Sequence, residues 1–215
     1  DLSTEMLNNL NPSFVLDLTA TPRRNSNIIS YVDARELKKE HMVKLPVVVY
    51  NRTNRQDVIR DAIQLRNSIE REAVAAEEAG GEYIRPIVLF QAQPRTGDNS
   101  DTYDRIKTML VDLGIPADQI AVKTSDVDDI GKTDLMSRDC KIRYIITVNA
   151  LKEGWDCPFA YVLASLANRT STVDVEQILG RILRQPYAKQ HAAPLLNTSY
   201  VLTNSKAIPH RKDAE

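Results

Sequence analysis

Little in this chain points to covalent or metal staples. It has only 2 cysteines and 3 histidines in 215 residues. Cys140 and Cys157 stand apart rather than in a CxxC pair, so neither a disulfide framework nor a zinc site follows. A chain of this length buries roughly 70% of the surface its unfolded form exposes and needs neither device. A reducing, cytoplasmic setting is the expected one. No apolar run approaches the roughly 18 residues that span a bilayer, and the polar start Asp1-Leu2-Ser3-Thr4-Glu5 carries no signal-peptide pattern, so secretion and membrane insertion are disfavoured. Neither sign of charge dominates, since 28 Lys+Arg against 29 Asp+Glu leave a net charge of −1. That balance excludes a globally basic nucleic-acid binder and requires any phosphate contact to come from local groups. The first residue is not methionine, and the chain is expected to be a piece of a longer polypeptide.

What is present is alternation. Ile87-Val88-Leu89-Phe90, Ile142 to Val148 and Tyr161 to Leu166 are short apolar runs rich in β-branched residues, the pattern of buried parallel strands; Phe14-Val15-Leu16-Asp17-Leu18 reads as a further strand ahead of them. Between them, Val58, Ala62, Leu65, Ile69 and Ala73 recur at helical spacing from about Asn54 to Ala79, where Gly80-Gly81 stops the helix. Asp101 to Leu113 and Val173 to Arg184 give two more helices. Strand–helix alternation predicts an α/β sheet with right-handed crossovers, with function sought outside the carboxyl ends of its strands. The charged stretch Arg24 to Pro46 reads as a connector, and the tail after Ser205 as frayed.

Three segments can carry chemistry. In Leu18-Thr19-Ala20-Thr21-Pro22 a strand runs into two hydroxyls and a proline, either an ordinary exit turn or a holder of phosphate oxygens. In the segment from Val148 to Pro158, Gly154 permits close backbone approach, and Asp156 is placed to accept from a ribose hydroxyl or to orient an arginine, with a plain turn as the alternative. In the helix from Asp174 to Arg184, Val175, Ile178, Leu179, Ile182 and Leu183 form an apolar stripe, and Gln177, Arg181 and Arg184 fall on the opposite face. Gly180, worth about 1 kcal/mol against that helix, makes sense if a backbone or ligand comes close. Two lookalikes are set aside. Gly131-Lys132-Thr133 lacks the P-loop glycine five residues earlier and follows the acidic run 125–129; Asp33 with Glu36-Leu37-Lys38 is too tightly spaced for a strand-borne nuclease site.

Taken in order, Leu-Asp-Leu-Thr-Ala-Thr-Pro (16–22), Pro-Ile-Val-Leu-Phe-Gln (86–91), Ile-Ile-Thr-Val-Asn-Ala-Leu-Lys-Glu-Gly-Trp-Asp-Cys-Pro (145–158) and Gln-Ile-Leu-Gly-Arg-Ile-Leu-Arg-Gln-Pro (177–186) resemble motifs III to VI of superfamily-two helicases. The Glu-Gly-Trp-Asp-Cys-Pro form is most similar to the helicase subunit of type III restriction enzymes. The resemblance implies a RecA-like parallel sheet flanked by helices: residues 1–24 as the tail end of a first RecA-like domain, 25–46 a connector, 47–205 the second RecA-like domain and 206–215 a frayed tail. It implies an ATP-dependent DNA motor in which Arg184 is the arginine finger and Arg181 a second phosphate-facing arginine. Gln177 and Gly180 support them. Gly154 and Asp156 approach the nucleotide, Thr19, Ala20 and Thr21 couple hydrolysis to movement, and Gln91, Gln93 and Asn149 lie toward the DNA backbone. The cofactors implied are ATP and Mg²⁺, with the phosphate cradle and Mg²⁺ carboxylates upstream of residue 1, so the chain alone is expected to be inactive. The implied partners are duplex DNA, the preceding RecA-like domain and a methyltransferase subunit. The competing expectations are a non-catalytic nucleic-acid or protein-binding module on the same fold, and a repair helicase of a related family.

Overall fold

The computed structural model describes residues 6, 9–16, 18, 27–93, 102–148, 155–166, 179–180 and 182–204, which fall in two units, residues 1–33 and 34–215. In the first, the described residues form no strand, and Phe14, Val15, Leu16 and Leu18 are exposed. The strand expected at Phe14 to Leu18 is therefore corrected. An apolar run becomes a strand only when a neighbour takes its backbone groups, and none of the sheet pairings includes it.

The second unit opens with a short helix α1 (Ala34–Lys39) inside the expected connector, then runs β1 (Val47–Asn51), α2 (Arg55–Glu78), β2 (Ile87–Gln91), α3 (Tyr103–Asp112), β3 (Ile120–Lys123), β4 (Tyr144–Thr147), β5 (Ala160–Ser165) and β6 (Ser199–Thr203). The six strands form one sheet in the order β1-β6-β5-β2-β4-β3, and every pairing is parallel. The α/β parallel sheet expected from the alternation is present. β2, β5 and β6 are buried at every residue, as strands covered on both faces must be. Each buried Val, Leu, Ile or Phe there contributes roughly 1.5–3 kcal/mol.

The helices follow their local signals. The Asn54 side chain accepts the Asp57 N–H at 2.8 Å and caps α2. Val58, Ile59, Ala62, Ile69 and Ala73 turn its apolar face onto β5, β6 and β2. It ends where Gly80 takes a φ of 91°, a left-handed conformation natural to glycine, and Gly80 and Gly81 close the last turn on the Glu77 and Ala76 carbonyls. No helix joins β3 to β4. Residues 124–143 cross instead as an irregular loop whose Asp129 pairs back onto Val122, backbone to backbone and carboxylate to N–H, covering the free edge of β3.

That loop is pinned by Arg85, which is 2% exposed and donates to the carbonyls of Ile142 at 3.0 Å, Ser137 at 2.7 Å and Leu135 at 2.5 Å. Arg85→Ala leaves three carbonyls without their donor, one buried and two part-buried, and a loss of about 3 kcal/mol in urea unfolding is expected. Arg85→Lys recovers less than half of it, because an ammonium lacks the planar fork that spans three acceptors.

Candidate functional site

Each parallel strand must be followed by a return to the other end of the sheet, so the molecule has two poles. The segment after β4 comes back to the amino pole, where Trp155 to Phe159 lead into β5 and the Phe159 carbonyl accepts the first N–H of β2 at 2.8 Å. The residues entering β1 arrive at the same pole. There Val43 forms an antiparallel bridge with Arg184, Lys44 N–H donates to the Leu183 carbonyl at 2.6 Å and Gln185 N–H to the Met42 carbonyl at 2.9 Å. Arg184 is thus off the helix expected to carry it: Leu179, Gly180 and Ile182 are helical, and the chain then extends onto residues 42–44. The shared helical face of Gln177, Arg181 and Arg184 is corrected at Arg184, while Gln177 and Arg181 lie outside the described residues.

The fold brings together Arg184 and Asp156, which pair NH1 to Oδ2 at 2.5 Å although 28 residues separate them. Both are largely exposed, 62% and 40% by side chain, so the pair is open to solvent and worth little to stability. Beneath them lies a residue the sequence reading passed over. Lys44 is fully buried, and its Nζ donates to the Pro158 carbonyl at 2.8 Å and the Arg184 carbonyl at 2.6 Å while sitting 4.4 Å from the centre of the Tyr161 ring. Burial strips the ammonium of water and lowers its pKa from 10.5 to about 7, an effect that neighbouring Cys157 and Asp156 oppose. The same burial pushes the Cys157 thiol up to about 11, which leaves it an inert core group. The sequence signal for Lys44 was a lone charge inside Val43-Lys44-Leu45-Pro46-Val47-Val48-Val49, an apolar run that would bury whatever it contains.

The carboxyl pole is built differently. The last residues of all six strands are polar and stand in register: Asn51, Thr203, Ser165, Gln91, Thr147 and Lys123. Ser165 Oγ donates to Gln91 Oε1 at 2.9 Å and Gln93 Nε2 to the Leu166 carbonyl at 2.9 Å. Gln91 and Gln93 are 5% and 7% exposed, so their amides serve the interior here, and contact with a DNA backbone would require both to turn away. Thr147 Oγ1, in a residue without exposed surface, has no hydrogen-bond partner among the described residues. Beside this row a cavity of about 480 Å³ is lined by Asn54, Arg55, Gln56, Arg105 and Asn204, at the start of α2 and against α3. None of those residues was singled out in the sequence, because strand ends and helix starts become one surface only in three dimensions.

The expectation that function gathers at the carboxyl ends is therefore divided, with Asp156 and Arg184 at the amino pole. At Gly180 a Cβ would meet no described atom within 4 Å, so the space beside it is open among the described residues. Gly131 needs its glycine for a different reason. A Cβ would lie 2.6 Å from the Asp128 carboxylate, which holds the space a phosphate would require. Thr19, Ala20, Thr21, Asn149 and Gly154 lie outside the described residues. Among the described residues no group of three His, Cys, Asp or Glu side chains can hold a metal ion, and no helix is long and apolar enough to cross a membrane.

No family model matches the sequence, and no curated protein matches it. Among solved structures, the C-terminal domain of S. cerevisiae Dbp5, bound to Gle1 and IP6, is similar at a TM-score of 0.41 and 14% identity, over 74% of this chain and 76% of that one.

Two measurements check the site. Because unfolded Lys44 holds its proton to pH 10.5 and the folded chain releases it near 7, unfolding takes up a proton between those values, and stability rises with pH there. In urea titrations from pH 7 to 9, below the range where Cys157 opposes the trend, Lys44 contributes a rise of up to about 1.4 kcal/mol per pH unit, and Lys44→Met removes it. Gly180→Ala is expected to raise stability by about 0.5–1 kcal/mol; a loss would show that something occupies the space beside it.

Proposed function

We propose that this chain is the second RecA-like half of an ATP-dependent DNA motor of the superfamily-two helicase kind, most similar to the helicase subunit of type III restriction enzymes. The observation that carries the reading is the amino pole: an exposed guanidinium on a rigid mount, paired with the Asp156 carboxylate from a segment that resembles motif V. The all-parallel sheet and the order of four motif-like segments along the chain support it.

In this mechanism Arg184 is held at its main chain by Lys44, while its exposed side chain pairs with Asp156. Asp156 keeps the guanidinium at the surface until a triphosphate held by the preceding RecA-like domain draws it across the cleft, where it stabilises charge on the transferred phosphoryl group. Asp156, relieved of the arginine, is placed to accept from the sugar hydroxyl. By resemblance, Arg181 and Gln177 serve the phosphates and Gly154 the sugar. The polar row and the Asn54, Arg55 and Arg105 surface form the DNA side, the task that the resemblance also gives to Asn149, Gln91 and Gln93. Thr19, Ala20 and Thr21 couple the two halves, and a methyltransferase subunit supplies the recognition sequence. Mg²⁺ neutralises phosphate charge when bound, with its ligands in the preceding domain.

The test is ATP hydrolysis, with and without duplex DNA, by a polypeptide that joins these residues to the preceding RecA-like domain. Arg184→Ala is expected to lower DNA-stimulated turnover by roughly 10³-fold or more with KM for ATP little changed. Absence of hydrolysis in the parent, or full turnover in the variant, overturns the reading and leaves a binding module on this fold.

A further inference from the structure

Arg184 and Asp156 stand on two segments of the amino pole, 184–189 and 155–159, and Lys44 joins those segments through the Arg184 and Pro158 carbonyls. A second fastening lies three residues beyond each member of the pair, at Tyr187 and Phe159. The Tyr187 ring packs edge-on against Phe159, with centroids 6.1 Å apart and planes at 65°, and Phe159 stands edge-on to Tyr83 in turn, at 6.0 Å and 75°. The Tyr187 hydroxyl donates to the Tyr83 carbonyl at 2.7 Å, across 104 residues of chain. Lys189 Nζ runs alongside it to the Glu82 carboxylate at 2.6 Å. One aromatic side chain thus ties the segment leaving Arg184 both to the segment that carries Asp156 and to the lead-in of β2.

Stability alone does not account for this corner. Tyr187 and Ala188 take φ values of 58° and 48°, a left-handed conformation that favours glycine, and neither is glycine. Residues persist in such conformations only where their surroundings impose them. Here Pro186 is buried on one side, and Gln185 Nε2 donates to the Lys189 carbonyl at 3.0 Å, clasping the turn across its base. Tyr187 itself is 39% exposed, and a hydrogen bond open to water adds only modestly to stability. What a strained turn and a tether provide is direction. Two segments joined at one point can swing about it, and a second point three residues along removes that freedom. The guanidinium sits at the end of a long side chain, so a small swing at its root carries over to the reacting end, where a misplacement of about 1 Å costs up to about a hundredfold in rate.

We propose, resting on the reading of Arg184 as the arginine finger, that Tyr187 is a positioning residue for the motor reaction: it sets the Arg184 segment against the Asp156 segment, so that the guanidinium reaches for the phosphoryl group from a fixed root. Its hydroxyl is committed to the Tyr83 carbonyl and its ring to Phe159, so it acts through Arg184 and not on the nucleotide. Lys44 holds the two segments from the interior, and Tyr187 holds them at the surface.

The test is a double-mutant cycle on the polypeptide that joins these residues to the preceding RecA-like domain, read as DNA-stimulated ATP hydrolysis under single-turnover and steady-state conditions. Tyr187→Ala is expected to lower kcat by about tenfold to a hundredfold with KM for ATP within about twofold. In an Arg184→Ala background the same substitution is expected to cost nothing further, because the group it positions is gone. Tyr187→Phe, which keeps the ring on Phe159, is expected to retain most of the turnover. Circular dichroism checks the fold of each variant, and Tyr187→Leu, which fills part of the ring's volume, replaces Tyr187→Ala if the latter does not fold. A loss of the same factor with and without Arg184, a change carried by KM, or parental turnover in Tyr187→Ala overturns the positioning role and leaves the motor reading standing. A parent polypeptide that hydrolyses no ATP overturns both.

Discussion

The amino pole depends on a single buried amine. Lys44 enters the interior between the segment that leads into β5 and the segment that leaves the last helix, and it joins them through one carbonyl of each, Pro158 and Arg184. Placing an ammonium there is costly, and burial answers by drawing its pKa down to about 7. What the arrangement secures is position. Both carbonyls keep a strong donor, and the exposed side chains above them, Asp156 and Arg184, meet with their backbones already set. An apolar residue would fill the same volume and leave two buried carbonyls without a donor.

The parallel sheet turns this local fastening into a division of labour. Since all six strands run the same way, every connection returns from the carboxyl to the amino pole, and the chain presents two chemically different ends about one strand-length apart. The amino end carries an exposed arginine, paired with Asp156, on a buried mount. The other end carries an in-register polar row, most of it buried, with a Thr147 hydroxyl that has no partner among the described residues. In the motor reading, nucleotide and DNA act at opposite ends of a rigid body, and the buried strands β2, β5 and β6 transmit between them with little compliance.

How much of this was legible varied with the range of the interactions. The long helix was readable from end to end, because its cap at Asn54, its apolar stripe and its stop at Gly80 are all local. β2, β4 and β5 were readable as apolar runs. β1, β3 and β6 were not singled out: β1 follows a charged stretch that reads as a connector, β3 has four residues, and β6 lies close to the end of the last pattern. Phe14 to Leu18 shows the converse, a good strand pattern without a partner strand among the described residues.

By itself the sequence determined the α/β class, the residue types available for phosphate chemistry and the order of the segments that carry them, because these follow from periodicity and spacing along the chain. The tertiary structure alone decided that Arg184 leaves its helix, that it meets Asp156, and that Lys44 lies beneath both. The physical reason is the crossover. Lys44 and Arg184 are 140 residues apart, and only the return of each connection to the amino pole puts them within hydrogen-bonding distance. Pairing of that kind depends on which strands become neighbours, and local sequence carries no term for it.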